Sequence, residues 1–256
     1  MGVEALHGII AHPDLELVGV RVYSEAKEGR DAGELCSVEP VGVTATRNVD
    51  KLLTLGADCV CFNASDHFGI DDMVEEICRI LRAGVNVSNG SATALAYPPL
   101  MPAAIEKITQ ATEAGQATFY FGGINPGFCT DVLPAFLATA VRDVDAVEIH
   151  EHFDISTYKD ALLLARFGYG RKPEDFSSDD VEEIATYLWS PSARLVAQAI
   201  GLREYDIRIS SDVAVADSPF ELTGDQSTAT HRTLSIEKGT INALHCMIEF
   251  LVDGTP

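Results

Sequence analysis

The hydrophobic positions in the first half of the chain alternate between helical and strand periods. Apolar residues at three- and four-residue spacing predict helices at 3–12, 49–55, 70–83 and 102–114. Continuous or alternating apolar runs predict strands at 15–23, 41–45, 57–64, 85–88 and 117–123. Near-continuous apolar strands joined by helices are typical of a parallel sheet covered on both faces. We therefore expect a doubly wound α/β domain in this half.

Glycines stand where several of these helices should end. Gly56, Gly84 and Gly115 directly follow predicted helices, and Gly201 follows a later one. Glycine adopts the left-handed conformation that closes a helix at little steric cost. We expect each of the four to be a C-terminal cap.

The pattern changes beyond about residue 143. Helices are predicted at 181–188, with Ser178 as the N-cap, and at 193–200. Strands are predicted within 205–216, 229–236 and 241–254, and a tight turn at 237–239 joins the last two. The chain is thus expected to form a doubly wound domain over 1–142 and an α+β domain with a mixed sheet over 143–256.

The start of the chain carries part of a dinucleotide-binding pattern. In the Rossmann form of the doubly wound fold, the first strand leads into G-x-G-x-x-G and a helix whose N-terminus holds the pyrophosphate. Here the first helix is predicted, and Gly2 takes the place of the last glycine of that motif. The strand and the first two glycines have no counterpart, so we expect them to precede Met1. The alternative is a different α/β fold that begins with a helix.

This expectation has a structural consequence. The first Rossmann strand is central in the order 3-2-1-4-5-6. Without it, the strands predicted at 15–23 and 57–64 should not pair directly, and their open edges would be costly. We expect the 256 residues by themselves to be poorly stable and to bind a dinucleotide weakly.

Composition and charge narrow the class of partner. The chain is 46% hydrophobic and carries a formal net charge of −21, which disfavours nucleic acid and anionic membranes. A small-molecule substrate is the better expectation.

No signal peptide or long uncharged apolar stretch is evident, and six scattered cysteines suit a reducing cytoplasm. The oligomeric state stays open, with a homo-oligomer as one alternative.

The tip of the strand at 15–23 bears on the choice of cofactor. Tyr23 ends the strand, and Ser24 stands where an acidic residue would bind the ribose of NAD. Arg21, Lys27 and Arg30 flank this position. Serine beside cations accommodates a 2′-phosphate, so NADP is favoured over NAD, although Lys27 and Arg30 are also explained as ordinary loop charges.

Two later loops hold further candidate cofactor contacts. Asn63, Ala64 and Ser65 follow the strand at 57–64, where the loop of a doubly wound domain meets its cofactor. Asn125 lies in the segment GINPGF, whose backbone N–H groups could face the nicotinamide or substrate. A plain connection between strand and helix is the alternative for that segment.

Four segments carry a resemblance to a known family. AHPDLELVGVRVYSEAKEGRDAGEL, NVSNGSATALAYPP, GGINPGFCTDVLP and DISTYKD resemble the dihydrodipicolinate reductase-like family, in the branch of 2,4-diaminopentanoate dehydrogenase and the native amine dehydrogenases. The resemblance implies a Rossmann domain, an α+β domain that closes over the nicotinamide, and hydride transfer between NAD(P)H and a C=N bond. Family members are longer at both ends, so the second domain is expected to continue after Pro256.

Departures from the family pattern limit the chemistry. The segment at 147–165 keeps Glu148 and Glu151 but lacks the His-His pair, the spaced lysine and the anion loop of true dihydrodipicolinate reductases. The lysine-pathway reaction is therefore disfavoured. Amine-forming relatives carry a glutamate in the loop after the fifth strand, and here Thr93 or Ala94 takes its place. No residue of this sequence is an obvious general base.

The resemblance implies three candidate catalytic residues. Asp154 and Tyr158 match a family segment and are expected to line the substrate pocket, and Thr93 occupies the position of the absent glutamate.

Two other classes of function remain as alternatives. Strand alternation would put Glu148, His150, His152 and Asp154 on one face, which suits a zinc or iron site and a metal-dependent hydrolase. No further ligand stands at motif spacing, so a polar strand face without metal is the preferred interpretation. The second alternative is a non-catalytic α/β ligand-binding protein.

Overall fold

The computed structural model describes residues 2–64, 69–155, 158, 161–223 and 233–254. Contacts divide the chain into two compact units, Met1–Gly127 and Phe128–Pro256. The domain boundary at 142/143 stays a prediction.

Helices and strands alternate in the N-terminal unit. Its helices are α1 (Gly2–Ala11), α2 (Ala32–Leu35), α3 (Val49–Leu53), α4 (Ile70–Arg82) and α5 (Pro102–Gly115). Its strands are β1 (Val20–Arg21), β2 (Ala45–Thr46), β3 (Cys59–Phe62), β4 (Asn86–Asn89) and β5 (Phe119–Phe121). The α/β alternation predicted from the hydrophobic pattern is confirmed, and the short helix α2 is an addition to it.

The strands of this unit form two parallel sheets. β1 pairs with β2 through Val20 and Ala45, while β4 pairs with β3 on one side and β5 on the other. In the Rossmann strand order the first strand lies between the positions of β1 and β3. Those two strands belong to separate sheets, which confirms the expectation that they do not pair.

The split sheet has two separate apolar cores. One lies around α4, where Ile77 and Leu81 are fully buried, and the other around Leu6 and Ala32. The expectation that both faces of the apolar strands are covered is wrong in part, because Leu15 is 54% exposed and Cys59 and Cys61 are also exposed. In β3, Phe62 faces the core while Cys59 and Cys61 do not.

Gly115 has a different role from the one predicted. Gly56, Gly84 and Gly201 have the positive φ of a helix cap, as expected. At the end of α5 it is Gln116 that adopts the left-handed conformation. A Cβ on Gly115 would overlap the carbonyl oxygen of Leu81, so the glycine permits close packing of α5 on α4.

The C-terminal unit places helices before strands. A π-helical turn at Phe128–Val132 leads into α6 (Leu133–Ala138), followed by α7 (Ala161–Arg166), α8 (Ser178–Ile184) and α9 (Ser190–Ala199). The strands are β6 (Asp206–Val215), β7 (Phe220–Thr223), β8 (Thr233–Ile236) and β9 (Ile241–Leu251). Within the described ranges no helix of either unit is long and apolar enough to cross a membrane.

Pairing in this unit differs from the order along the chain. β6 pairs antiparallel with β9, and β7 with β8. The predicted turn is present, with the Thr240 N–H donating to the Glu237 carbonyl at 3.0 Å, yet it joins strands of different sheets. The cap of α8 is Ser177 in a capping box with Asp180, one residue before the predicted Ser178.

Candidate cofactor site

Three parallel strands end at one edge of the N-terminal unit. The Gly90 N–H donates to the Phe62 carbonyl at 3.3 Å, and the Gly122 N–H donates to the Asn89 carbonyl at 3.0 Å. These bonds tie together the carboxyl ends of β3, β4 and β5. In open α/β sheets, ligands bind outside this edge.

Asn89 shapes the loop after β4. It is fully buried, and its Oδ1 accepts from the backbone N–H groups of Ser91 at 3.3 Å and Ala92 at 3.0 Å. Its Nδ2 donates to the Phe62 carbonyl at 3.4 Å. The loop so fixed leads directly into the 3₁₀ turn Thr93–Ala96, which begins with the candidate Thr93. Sequence reasoning missed Asn89, although an asparagine at a strand end is a known turn former.

Glycines let the loops at this edge lie close together. A Cβ on Gly90 would lie 3.0 Å from Asn63 Oδ1 and 3.4 Å from the Gly122 carbonyl oxygen, and one on Gly123 would lie 2.9 Å from the Pro126 carbonyl oxygen. The glycines thus allow the loops after β3, β4 and β5 to pack closely on one another. They shape the edge at which Rossmann folds bind a dinucleotide.

The loop after β5 has a closed shape. Ile124 and Gly127 form an isolated bridge around Asn125, and Gly127 has a φ of +136°. A Cβ at Gly127 would overlap the backbone of Gly123. Only glycine fits this position, so the shape of the loop that carries Asn125 depends on it.

A cleft of about 250 Å³ lies beside the ends of β1 and β3. Its lining residues are Tyr23, Phe62, Ala64, Gly69, Asp72, Met73 and Glu76. The structure thus brings together two predicted cofactor residues, Tyr23 and Ala64, that are far apart in sequence.

Polar contacts hold Tyr23 at the cleft. Its hydroxyl donates to Glu76 Oε2 at 2.8 Å, and the Arg21 Nε lies 3.4 Å from Glu76 Oε1. The Arg21 guanidinium carbon lies 4.8 Å from the centre of the Tyr23 ring. Burial, followed by the hydrogen bond to Glu76, raises the pKa of Tyr23 far above its ordinary value, so the phenol stays a donor.

Ser24 directly precedes the 3₁₀ turn Glu25–Lys27, and its hydroxyl makes no capping bond to that turn. Two of the cations near Ser24 are paired with carboxylates. Arg30 lies 3.7 Å from Glu34, and Arg21 is paired with Glu76 as described above. The Arg30–Glu34 pair is exposed enough to be weak and exchangeable.

The other predicted cofactor residues are placed as follows. Asn63 directly follows β3 beside Gly90, with its Nδ2 3.1 Å from Cys61 Sγ. Gly2 begins α1 in open surroundings, with no atom within 4 Å of an added Cβ, so the close packing of the motif's last glycine is not seen there. Ser65 lies outside the described residues.

The candidates Asp154 and Tyr158 belong to the C-terminal unit, and both are exposed. The strand expected around Glu148, His150, His152 and Asp154 is wrong, because residues 144–155 join no ladder. Alternation alone does not make a strand without a partner to pair with. His150 lies 3.4 Å from Glu148 in exposed surroundings, and in the described part of the chain no three His, Cys, Asp or Glu side chains are grouped as for a metal.

Two curated proteins match this chain over most of its length. No protein-family model matches the sequence. The chain is 30% identical over 261 residues to an amine dehydrogenase of Streptomyces virginiae, covering 100% of this chain and 70% of that protein. It is 26% identical over 247 residues to a 4-hydroxy-tetrahydrodipicolinate reductase of Trichormus variabilis, covering 91% and 83%.

The fold is shared with a solved structure. The amine dehydrogenase from Mycobacterium smegmatis superposes with a TM-score of 0.71 at 18% identity, over 96% of this chain and 70% of that one. This agreement confirms the expected fold class, a Rossmann-type domain followed by an α+β domain.

Proposed function

The chain belongs to the dihydrodipicolinate reductase-like amine dehydrogenase family, and we propose that it interconverts a small amine and its imine with NADPH or NADH. Members of this family are NAD(P)-dependent oxidoreductases that act on C=N bonds, and so is this chain. The observation that carries the proposal is the 30% identity to an amine dehydrogenase along the whole chain. The ligand-binding and metal-hydrolase alternatives are not favoured.

The proposed cofactor site lies on the N-terminal unit. Tyr23, Ser24 and Ala64 would hold the adenosine half, while Asn63 and Asn125 lie at the carboxyl edge for the nicotinamide half. Gly2 and Ser65 complete the proposed set. When bound, the nicotinamide supplies a hydride to the imine carbon, and the nitrogen takes up a proton to give the amine.

Substrate contacts are proposed for three side chains. The Thr93 hydroxyl would hydrogen-bond the substrate nitrogen, since a hydroxyl both donates and accepts. Asp154 and Tyr158 would line the substrate pocket. A threonine hydroxyl is far too weak a base to take a proton at neutral pH, so we assign no general base.

Asp154→Asn and Tyr158→Phe should each lower turnover, measured as initial rates, while leaving NADPH affinity, measured by titration, unchanged.

NADPH is expected to bind the full-length protein at least as tightly as NADH. Ser24 leaves room for a 2′-phosphate, which an acidic residue would repel. Titration of each nucleotide by nicotinamide fluorescence measures the two dissociation constants. Ser24→Asp should weaken NADPH about tenfold or more and leave NADH nearly unchanged. A strong preference of the unmodified protein for NADH would contradict this prediction.

We also propose a cytoplasmic location and no nucleic-acid or membrane partner. All six cysteines, each within the described ranges, are free thiols, which is usual in a reducing compartment. The strongly negative charge supports a small-molecule substrate over polyanionic partners. Whether the protein forms a homo-oligomer stays an open prediction, testable by light scattering.

A further inference from the structure

The contacts of Glu76 link two parts of the N-terminal unit that belong to different sheets. Glu76 lies on α4, and its carboxylate receives the Tyr23 hydroxyl at 2.8 Å and faces the Arg21 Nε at 3.4 Å. Arg21 ends β1, and Tyr23 follows two residues later. The carboxylate therefore joins the end of the β1–β2 sheet to the helix that packs on β3 and β4.

The two sides of this link differ in burial. Met73 and Ile77, which precede and follow Glu76 on α4, are buried in the larger core of the unit. Tyr23 is 39% exposed and lies two residues beyond β1, next to Val22, whose N–H donates to the Thr46 carbonyl at 3.0 Å. The backbone is thus held by the β1–β2 sheet up to Val22, and the Tyr23 hydroxyl is held by Glu76. The Glu76 carboxylate therefore helps to set the direction of the Tyr23 side chain.

The cleft beside this link suits one flat ring system. Its volume of about 250 Å³ lies below the 300–1,000 Å³ of pockets that enclose a whole drug-sized ligand. Phe62, Ala64 and Met73 give it an apolar lining, with Tyr23 and Glu76 at the polar side. Aromatic side chains bind a nucleobase by stacking on its face.

Arg21, Tyr23 and Glu76 also set the charge at one side of the cleft. The Arg21 guanidinium offsets the Glu76 carboxylate, and the Tyr23 hydroxyl points its proton at that carboxylate. The paired charges largely cancel, so this wall suits an uncharged base. Among the described residues of the lining, Asp72 is the other acidic one.

We infer that Glu76 is a positioning residue that holds Tyr23 and Arg21 as one wall of an adenine pocket at this cleft. This inference rests on the proposed function, because it assigns the adenosine half of NAD(P)H to the cleft. Glu76 acts on the nucleotide through Tyr23 and Arg21, and it is not a catalytic residue.

The test compares nucleotide halves on full-length variants. AMP and nicotinamide mononucleotide are titrated by calorimetry against the unmodified protein, Glu76→Ala and Glu76→Gln. Glu76→Ala should weaken AMP about tenfold, because AMP would then have to order the released Tyr23 side chain on binding, and leave nicotinamide mononucleotide unchanged. Glu76→Gln should fall between, because the amide oxygen still accepts from Tyr23 but no longer attracts Arg21.

Two further variants keep the test decisive. Glu75→Gln is the matched control, because the neighbouring Glu75 pairs with Lys107 at 2.9 Å and does not line the cleft. It should leave AMP affinity unchanged. Tyr23→Phe retains the ring but loses its tether, so it should raise the KM for NADPH and leave kcat unchanged even if Glu76→Ala does not fold.

The outcomes separate this inference from the proposed function. If the unmodified protein binds NADPH but Glu76→Gln and Tyr23→Phe bind AMP as Glu75→Gln does, the inference is overturned and the proposed function stands. Equal losses for AMP and nicotinamide mononucleotide would indicate a merely structural role and would also overturn it. If the unmodified protein binds no nucleotide, the proposed function itself fails.

Discussion

Replacing Gly115 with alanine is expected to destabilise the N-terminal unit by about 3 kcal/mol, the upper range for overpacking a core. The added methyl would overlap the Leu81 carbonyl oxygen and lie 2.8 Å from the Leu81 carbonyl carbon and 3.1 Å from the Arg82 Cα. These are backbone atoms of α4, which a rotamer change does not move. α5 would have to shift away from α4 and open the core between them. Urea denaturation followed by circular dichroism measures the loss.

Gly8→Ala is the control for this substitution. Gly8 also lies in a helix, α1, but nothing stands within 4 Å of an added Cβ. Alanine favours a helix over glycine by about 1 kcal/mol, so this variant should be neutral or slightly more stable. If Gly115→Ala were as stable as Gly8→Ala, the close packing of α4 and α5 would be contradicted.

Replacing Gly127 with alanine is expected to lower kcat/KM at least about a hundredfold, the loss that a 1 Å misplacement can cause. The φ of +136° is a region that only glycine occupies readily, and a Cβ would overlap the Gly123 backbone. The loop that carries Asn125 would have to open. Since this loop ends the row of strand termini proposed to bind the nicotinamide, turnover should fall more than stability. Initial rates of amine oxidation measure the effect.

Gly29→Ala separates loop shape from backbone strain. Gly29 has a φ of +78°, and nothing stands within 4 Å of its added Cβ. This variant should lose about 1 kcal/mol of stability through the left-handed backbone and keep its rate. A Gly127→Ala enzyme with the rate of Gly29→Ala would show that the loop after β5 is not part of the site.

The sequence pattern predicted the elements whose bounds depend on residues close together in the chain. Hydrophobic period placed α4 and α5 within a few residues of their observed bounds, because one apolar face of each is buried. The apolar run at 57–64 predicted a strand, and the observed β3 (Cys59–Phe62) lies within it; the cofactor contacts predicted after it, at Asn63 and Ala64, stay predictions.

Features that depend on distant partners were missed or misread. Gly115 resembled a cap, but its role is set by Leu81 on another helix. Glu76 has no local signal, since its partners Arg21 and Tyr23 lie more than fifty positions away. The alternation at His150 and His152 predicted a strand, yet a strand exists only where a ladder partner is present.

The central claim is hydride transfer to the carbon of a C=N bond, and isotope transfer tests it most directly. The full-length protein is incubated with small ketones or aldehydes, ammonia, and NADPH deuterated at the hydride-donating carbon, and the products are analysed by mass spectrometry. We predict an amine that carries one deuterium on the carbon bonded to nitrogen. The absence of labelled amine with every carbonyl tested, together with no binding of NADPH or NADH, would contradict it.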